Sequence, residues 1–284
     1  MTVGVIKFKH LLKPYLQIMI DKDLEPRIIS RTGFPALISS SDDALFSKKE
    51  LYIQSHTSNG KATFLNTKRP ARYRYDNMHL VADMKMTSYA GLSVPQLDAY
   101  TGPLEFEAIP FSKRAKSEGK NQAVHFFEND DCFRYATWDR LEQTSLSLSK
   151  FDVLFTPDYS MFIDECLTFQ GFQAVYMNRF VGAYWQQTCG FNVIPTFTFG
   201  NADSLKYSMI GLPKYSPLAV CGVGVNHCRA SRNLWEYALR TVEKELSPTL
   251  FYVYGPETSV PGLHTPIIFI EDYITKHFRH GKAI

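Results

Sequence analysis

The chain has no C-x-x-C pair, no G-x-S-x-G turn and no complete glycine-rich phosphate loop. Each absence removes a class of function. Its five cysteines are odd in number and not closely paired, so they do not read as a disulfide framework. Cys221, His227 and Cys228 lack the second paired element a zinc site needs, and adjacent His and Cys do not readily face one metal, so no metal site is assigned. The GVGV stretch at 222–225 lacks the third glycine and the helix start of a dinucleotide fingerprint. Without G-x-S-x-G there is no nucleophile elbow. No apolar run reaches the ~18 residues a membrane-spanning helix requires. Lys7, Lys9 and Lys13 interrupt the apolar N-terminal residues, which also lack a cleavage site, so a signal peptide is not expected. A reduced cytoplasmic setting follows as the expectation.

What is present is an ordinary globular composition with an aromatic surplus. Hydrophobic residues make up 45% and charged residues 21%, which argues against disorder. Aromatics reach 14%, enough to fill a core or to line a surface that stacks on a ligand. The net charge of +3 is too small to imply nucleic-acid binding, so local clusters decide that question.

From residue 123 onward strands and helices alternate. AVHFFE, DVLFTPD, NVIPTFTF, PLAVCGVGV, TLFYVYG and IIFIEDY read as strands. Asp130–Asp131 can open a helix through Leu141, 168–188 is a long helix closed by Gly190, and Ser231–Asn233 can cap a helix to Glu245. Earlier, ELYIQS, ATFLN, HLVADMKM and LEFEAIPF are short β-like runs, with a hairpin turn at Ser58–Gly60. Residues 5–20 carry helical apolar spacing that Pro14 interrupts, and 112–122 is a polar loop or lid. About eight strands in alternation predict an α/β fold of (β/α)-barrel type, complete or degenerate, with an open doubly wound sheet as the alternative. Residues 1–90 break the rhythm and read as an added N-terminal layer on a 91–284 core.

The second half carries more specific patterns: VHFFENDDCF at 124–133, VLFTPDYSMF at 153–162 and GLPKYSPLAVCGVGV at 211–225. The most distinctive is Asn178-Arg179-x-x-Gly182-x-Tyr184-Trp185, within 176–199. Over residues 120–260 these resemble the domain of unknown function 4417 family of bacterial, plasmid and bacteriophage proteins. Phe199 stands where that resemblance leads one to expect tryptophan. The family has no assigned activity; the resemblance implies a mobile-element or phage accessory protein.

In a parallel α/β sheet, ligands bind at the C-terminal ends of strands. Those tips carry Glu128, Asp158 and Glu257 as candidate acid–base residues, with Tyr159, Arg179, Asn226 and His227 as candidate substrate contacts. Paired carboxylates there suit a phosphate- or sugar-containing substrate, and Mg²⁺ is the candidate cofactor. The competing reading makes carboxylates after strands helix caps, with Asp130, Asp131 and Asp158 well placed for it, and Arg179 the salt-bridge partner of Asp158. Tyr184 and Trp185 read as core.

Lys61, Lys68, Arg69, Arg72 and Arg74 lie among Phe64, Tyr73 and Tyr75, a composition that suits single-stranded nucleic acid. Lys113, Arg114, Lys116 and Lys120 form a second cluster. A solvated, salt-bridged surface explains both equally simply. Three functions therefore remain open: a barrel-like enzyme acting on a nucleotide, nucleic acid or sugar; a single-strand-binding protein; and a structural or interaction protein of a phage.

Overall fold

The computed structural model describes residues 77–81, 84–161 and 167–271, all within a compact unit spanning Ala71–Ile284. The expected helix at 5–20, the Ser58–Gly60 turn and the runs around it lie outside the described residues.

Apolar runs rich in Val, Ile and Phe favour strands buried on both faces, which is the setting of a parallel sheet. Among the described residues seven strands make up the parallel sheets: β3 (Glu107–Pro110), β4 (Gln122–His125), β5 (Val153–Phe155), β6 (Val193–Ile194), β7 (Leu218–Cys221), β8 (Phe251–Tyr254) and β9 (Ile267–Ile270), of which the outer β3 and β9 are partly exposed. All pair in parallel, β3-β4-β5-β6 in one sheet and β7-β8-β9 in another. A single parallel bridge, Thr196 to Ala219, links the two. Two antiparallel strands precede them, β1 (Met86–Tyr89) and β2 (Leu92–Pro95), joined by Ala90 and Gly91 at φ 49° and 79°. Positive φ at both central residues is the mark of a tight hairpin turn that follows strand twist.

Side chains alternate across each strand and so feed two cores. Val124, Leu154, Val193, Val220 and Val253 pack in the larger cluster, which includes the helices. Ala123, Phe155, Ile194, Ala219 and Tyr252 point the other way into a second, aromatic-rich cluster.

The parallel α/β architecture is observed, and a closed barrel is not. Among the described residues β3 pairs only with β4 and β9 only with β8. The series is also thin at its middle. Pro195 has no N–H to give to a ladder, so β6 ends after two residues. The stretch HLVADMKM is not one strand: Met78–Leu80 form a 3₁₀ turn and β1 starts only at Met86.

Three helices cover the sheets: α1 (Leu141–Leu148), α2 (Leu167–Ala183) and, after a one-turn α3 (Leu205–Ser208), α4 (Arg229–Leu246). The segment expected to be one helix from Asp130 is a 3₁₀ turn, a π turn and then α1. Every residue from Ala174 to Ala183 except Tyr176 is buried, so α2 is enclosed rather than one-sided. It runs on as a π turn, Tyr184–Thr188, and the chain turns away at Gly190 with φ 72°. By contrast α4 is amphipathic, with Trp235, Ala238, Leu239, Val242 and Leu246 buried along one face. Its N-cap is Cys228, whose Sγ accepts from the Ser231 N–H at 3.4 Å, rather than the expected Ser231.

Candidate functional site

The tips of β5 and β6 are tied together by a buried hydrogen-bond node. The Thr196 N–H donates to Thr156 Oγ1 at 2.7 Å, and Thr196 Oγ1 donates to the Thr156 carbonyl at 2.9 Å. From α2, Asn178 Nδ2 donates to Thr156 Oγ1 at 2.9 Å and to the Pro157 carbonyl at 2.7 Å. Next to it Arg179 donates to the carbonyls of Ile210 (2.8 Å), Ser208 (2.6 Å) and Thr196 (3.2 Å), and to Asn178 Oδ1. Gly182, one turn on, permits this approach: a Cβ there would stand 2.5 Å from Thr156 Cγ2 and 2.7 Å from a Leu97 methyl. The distinctive Asn-Arg-x-x-Gly pattern is thus the part of α2 that grips two strand tips.

Two residues beyond those threonines stand Asp158 and Thr198, and the Thr198 hydroxyl donates to Asp158 Oδ1. Burial pushes the Asp158 pKa up to about 7; the Thr198 hydrogen bond opposes this and the negative charge of Asp130 adds to it. Asp130 itself accepts from the Ser160 N–H at 3.1 Å and the Ser160 hydroxyl at 2.8 Å. Asn129, not Asp130, caps the turn that follows, accepting from the Asp131 N–H at 3.1 Å.

The other sequence candidates are placed separately. Arg179 is fully buried, and its donors end on carbonyls and an amide rather than on Asp158. Burial of its charge lowers its pKa to about 9. Tyr159 is buried with its hydroxyl 2.8 Å from Thr137 Oγ1, and burial raises its pKa. Glu128 accepts from the N–H and hydroxyl of Ser112 at 2.9 and 2.5 Å. Asn226 donates to Thr258 Oγ1 at 3.0 Å, while His227 and Glu257 are exposed. Trp185 is core, with its indole N–H given to Ser145 Oγ at 2.9 Å. Among the described residues no group of three or more His, Cys, Asp and Glu is placed to hold a metal ion. No described helix is long and apolar enough to cross a membrane.

A cleft of about 810 Å³ opens elsewhere, where the first and last strands of the parallel series come to one space. Its lining includes β3, the turn after it, and β9. Lys113 and Lys116 contribute from that turn, Phe106 and Tyr252 supply rings 5.2 Å apart, and the buried His125 comes from the end of β4. The His125 Nδ1 accepts from the Phe127 N–H at 3.3 Å, and its ring lies 4.7 Å from that of Tyr254. Glu105, Glu107 and Glu271 also line the cleft; none of the seven strand-tip candidates does. Of this lining only the lysines stood out in the sequence, as part of a basic cluster. Phe106, His125 and Tyr252 gave no signal there, because only pairing order brings β3 and β9 to one opening.

A sequence model described as a domain of unknown function, DUF4417, matches residues 86–273, more than half of the chain. This chain belongs to the DUF4417 family. It is also 31% identical over 162 residues to the Gene 1 protein of Mycobacterium phage L5, covering 57% of this chain and 69% of that protein. No solved structure matches. The DUF4417 range holds all nine strands of the described residues, the Asp158 node and the cleft. Lys61, Lys68, Arg69, Arg72 and Arg74 precede that range and lie outside the described residues.

Proposed function

We propose that this DUF4417 protein is a phage accessory protein that binds a phosphate-bearing small molecule, a nucleotide or sugar phosphate, in the cleft between β3 and β9. The phage assignment draws on its similarity to the Mycobacterium phage L5 Gene 1 protein. The observation that carries the ligand class is the lining. Lys113 and Lys116 bring two compact cationic donors to a space that also has the aromatic surface of Phe106. Lysine ammonium groups suit phosphate oxygens as point charges, and a ring offers a face to a base or sugar. The carboxylates of Glu105, Glu107 and Glu271 disfavour a bare polyanion and favour a ligand with hydroxyl or amino donors beside its phosphate. Titration calorimetry of the full chain with ATP, glucose 6-phosphate, inorganic pyrophosphate and adenosine tests this. Saturable binding of a phosphorylated compound, weakened about tenfold or more by Lys113→Ala/Lys116→Ala, is expected. No saturable binding, or equal binding by the double variant, overturns it.

A second reading concerns catalysis. Asp158 has the environment of an acid–base residue: a partly buried carboxyl at a strand tip, hydrogen-bonded by Thr198, with a pKa near neutrality. In this reading Asp158 exchanges a proton with a substrate at the β5–β6 tips, away from the cleft, and Glu128 and Glu257 take no part. A ¹³C-carboxyl titration places the Asp158 midpoint near neutral pH if it holds, and in the ordinary aspartate range if it does not.

A further inference from the structure

The cleft lysines ride on one 3₁₀ turn, Phe111–Lys116, which begins directly after β3. Such short turns have poor hydrogen-bond geometry and leave their first N–H groups without partners inside the turn. The preceding residue is Pro110, which gives no side-chain cap. The missing acceptor comes from the neighbouring strand tip. Glu128, after β4, turns both carboxylate oxygens on Ser112, one at 2.9 Å from its N–H and one at 2.5 Å from its hydroxyl. The rest of the turn is fastened by other means. Phe111 is fully buried, Arg114 donates to the Phe111 carbonyl at 3.0 Å and lies 3.6 Å over its ring, and Ser117 Oγ donates to the Lys113 carbonyl at 3.2 Å.

We propose that Glu128 is a positioning residue of the cleft: by gripping Ser112 it sets where the Lys113 and Lys116 side chains stand. The proposal rests on reading the cleft as a phosphate site. It replaces an acid–base role for Glu128 with a conformational one. Two effects of this carboxylate oppose each other. Its charge, close enough to Arg114 to favour that cation, by itself disfavours an anion nearby. Its hydrogen bonds hold the lysines in register for one. Removing it therefore strengthens phosphate binding if charge is its only contribution, and weakens it if position is.

The test uses the full chain as wild type, Glu128→Ala, Glu128→Gln and Ser112→Ala, read by amide hydrogen exchange over 111–117 and by titration with ATP and with glucose 6-phosphate. Glu128→Ala is expected to speed exchange in the turn about tenfold while β4 and β8 keep theirs. Binding of the phosphorylated probe should weaken about tenfold. Ser112→Ala, which keeps the charge but loses the hydroxyl bond, should weaken binding less, and its effect should not add to that of Glu128→Ala. Glu128→Gln keeps one acceptor and should recover part of the loss. Unchanged exchange in Glu128→Ala, or ATP or glucose 6-phosphate bound as tightly or more tightly than by wild type, overturns the proposal. If the wild type itself takes neither ATP nor glucose 6-phosphate, the cleft reading falls, and the exchange of the 111–117 turn alone decides whether Glu128 positions it.

Discussion

Thr198 gives its hydroxyl hydrogen to the carboxylate of Asp158, joining the tips of two neighbouring parallel strands at a partly buried acid. This contact is the end of a chain that starts on α2, passes through Asn178 and Arg179 to Thr156 and Thr196, and reaches the pair two residues further on.

Asp158 makes stability fall as pH rises. Its folded pKa, about 7, lies above the unfolded aspartate value. Folding therefore retains a proton that the unfolded chain releases, and the cost grows from about pH 4 to pH 7 and is complete above that. Asp158→Asn removes it. The melting temperature of the variant should match wild type near pH 4 and exceed it increasingly up to pH 7, a trend that thermal scans across that range would detect.

Thr198→Val should raise the Asp158 pKa further. The hydroxyl is the one favourable partner of the charged form, set against burial and the charge of Asp130. A carboxyl resonance titrating above pH 7 in the variant is the expected result, and a midpoint at or below the wild-type value would contradict it.

Gly182→Ala tests whether the close approach of α2 is required. Alanine is the better helix former by about 1 kcal/mol, so propensity alone predicts a gain. Its Cβ would stand 2.5 Å from Thr156 Cγ2, and such overpacking costs about 1–3 kcal/mol. A net loss of stability in urea unfolding is expected.

Arg179→Met leaves the carbonyls of Thr196, Ser208 and Ile210 without the guanidinium that now donates to them. Each orphaned buried acceptor costs about 1–3 kcal/mol, and the Thr196 and Ser208 carbonyls are buried, so the unfolding free energy should drop by about 2–6 kcal/mol. Urea midpoints read with the slope held fixed measure it.

The order of strands from β4 to β9 was legible because each is a short Val-, Ile- or Phe-rich run bounded by turn residues, and the helix caps at Gly190 and Ser247–Pro248 carry local signals. The β1–β2 hairpin was not. Tyr89-Ala90-Gly91 has no Asn-Gly pair, and Ala90 adopts its positive φ because the turn demands it. Asp158 was visible as an acid at a strand tip. That Glu128 would fasten Ser112, and that Arg179 would serve carbonyls, depends on neighbours distant in sequence.

Local patterning by itself determined that this chain builds parallel β/α units, because alternation of apolar runs with cappable helical segments constrains each element within its own residues. Tertiary structure alone decided which tips meet. Register and pairing order place Thr198 on Asp158, bring β3 and β9 to one cleft and leave the sheets unclosed, and these are relations between segments up to about 160 residues apart that no local propensity encodes.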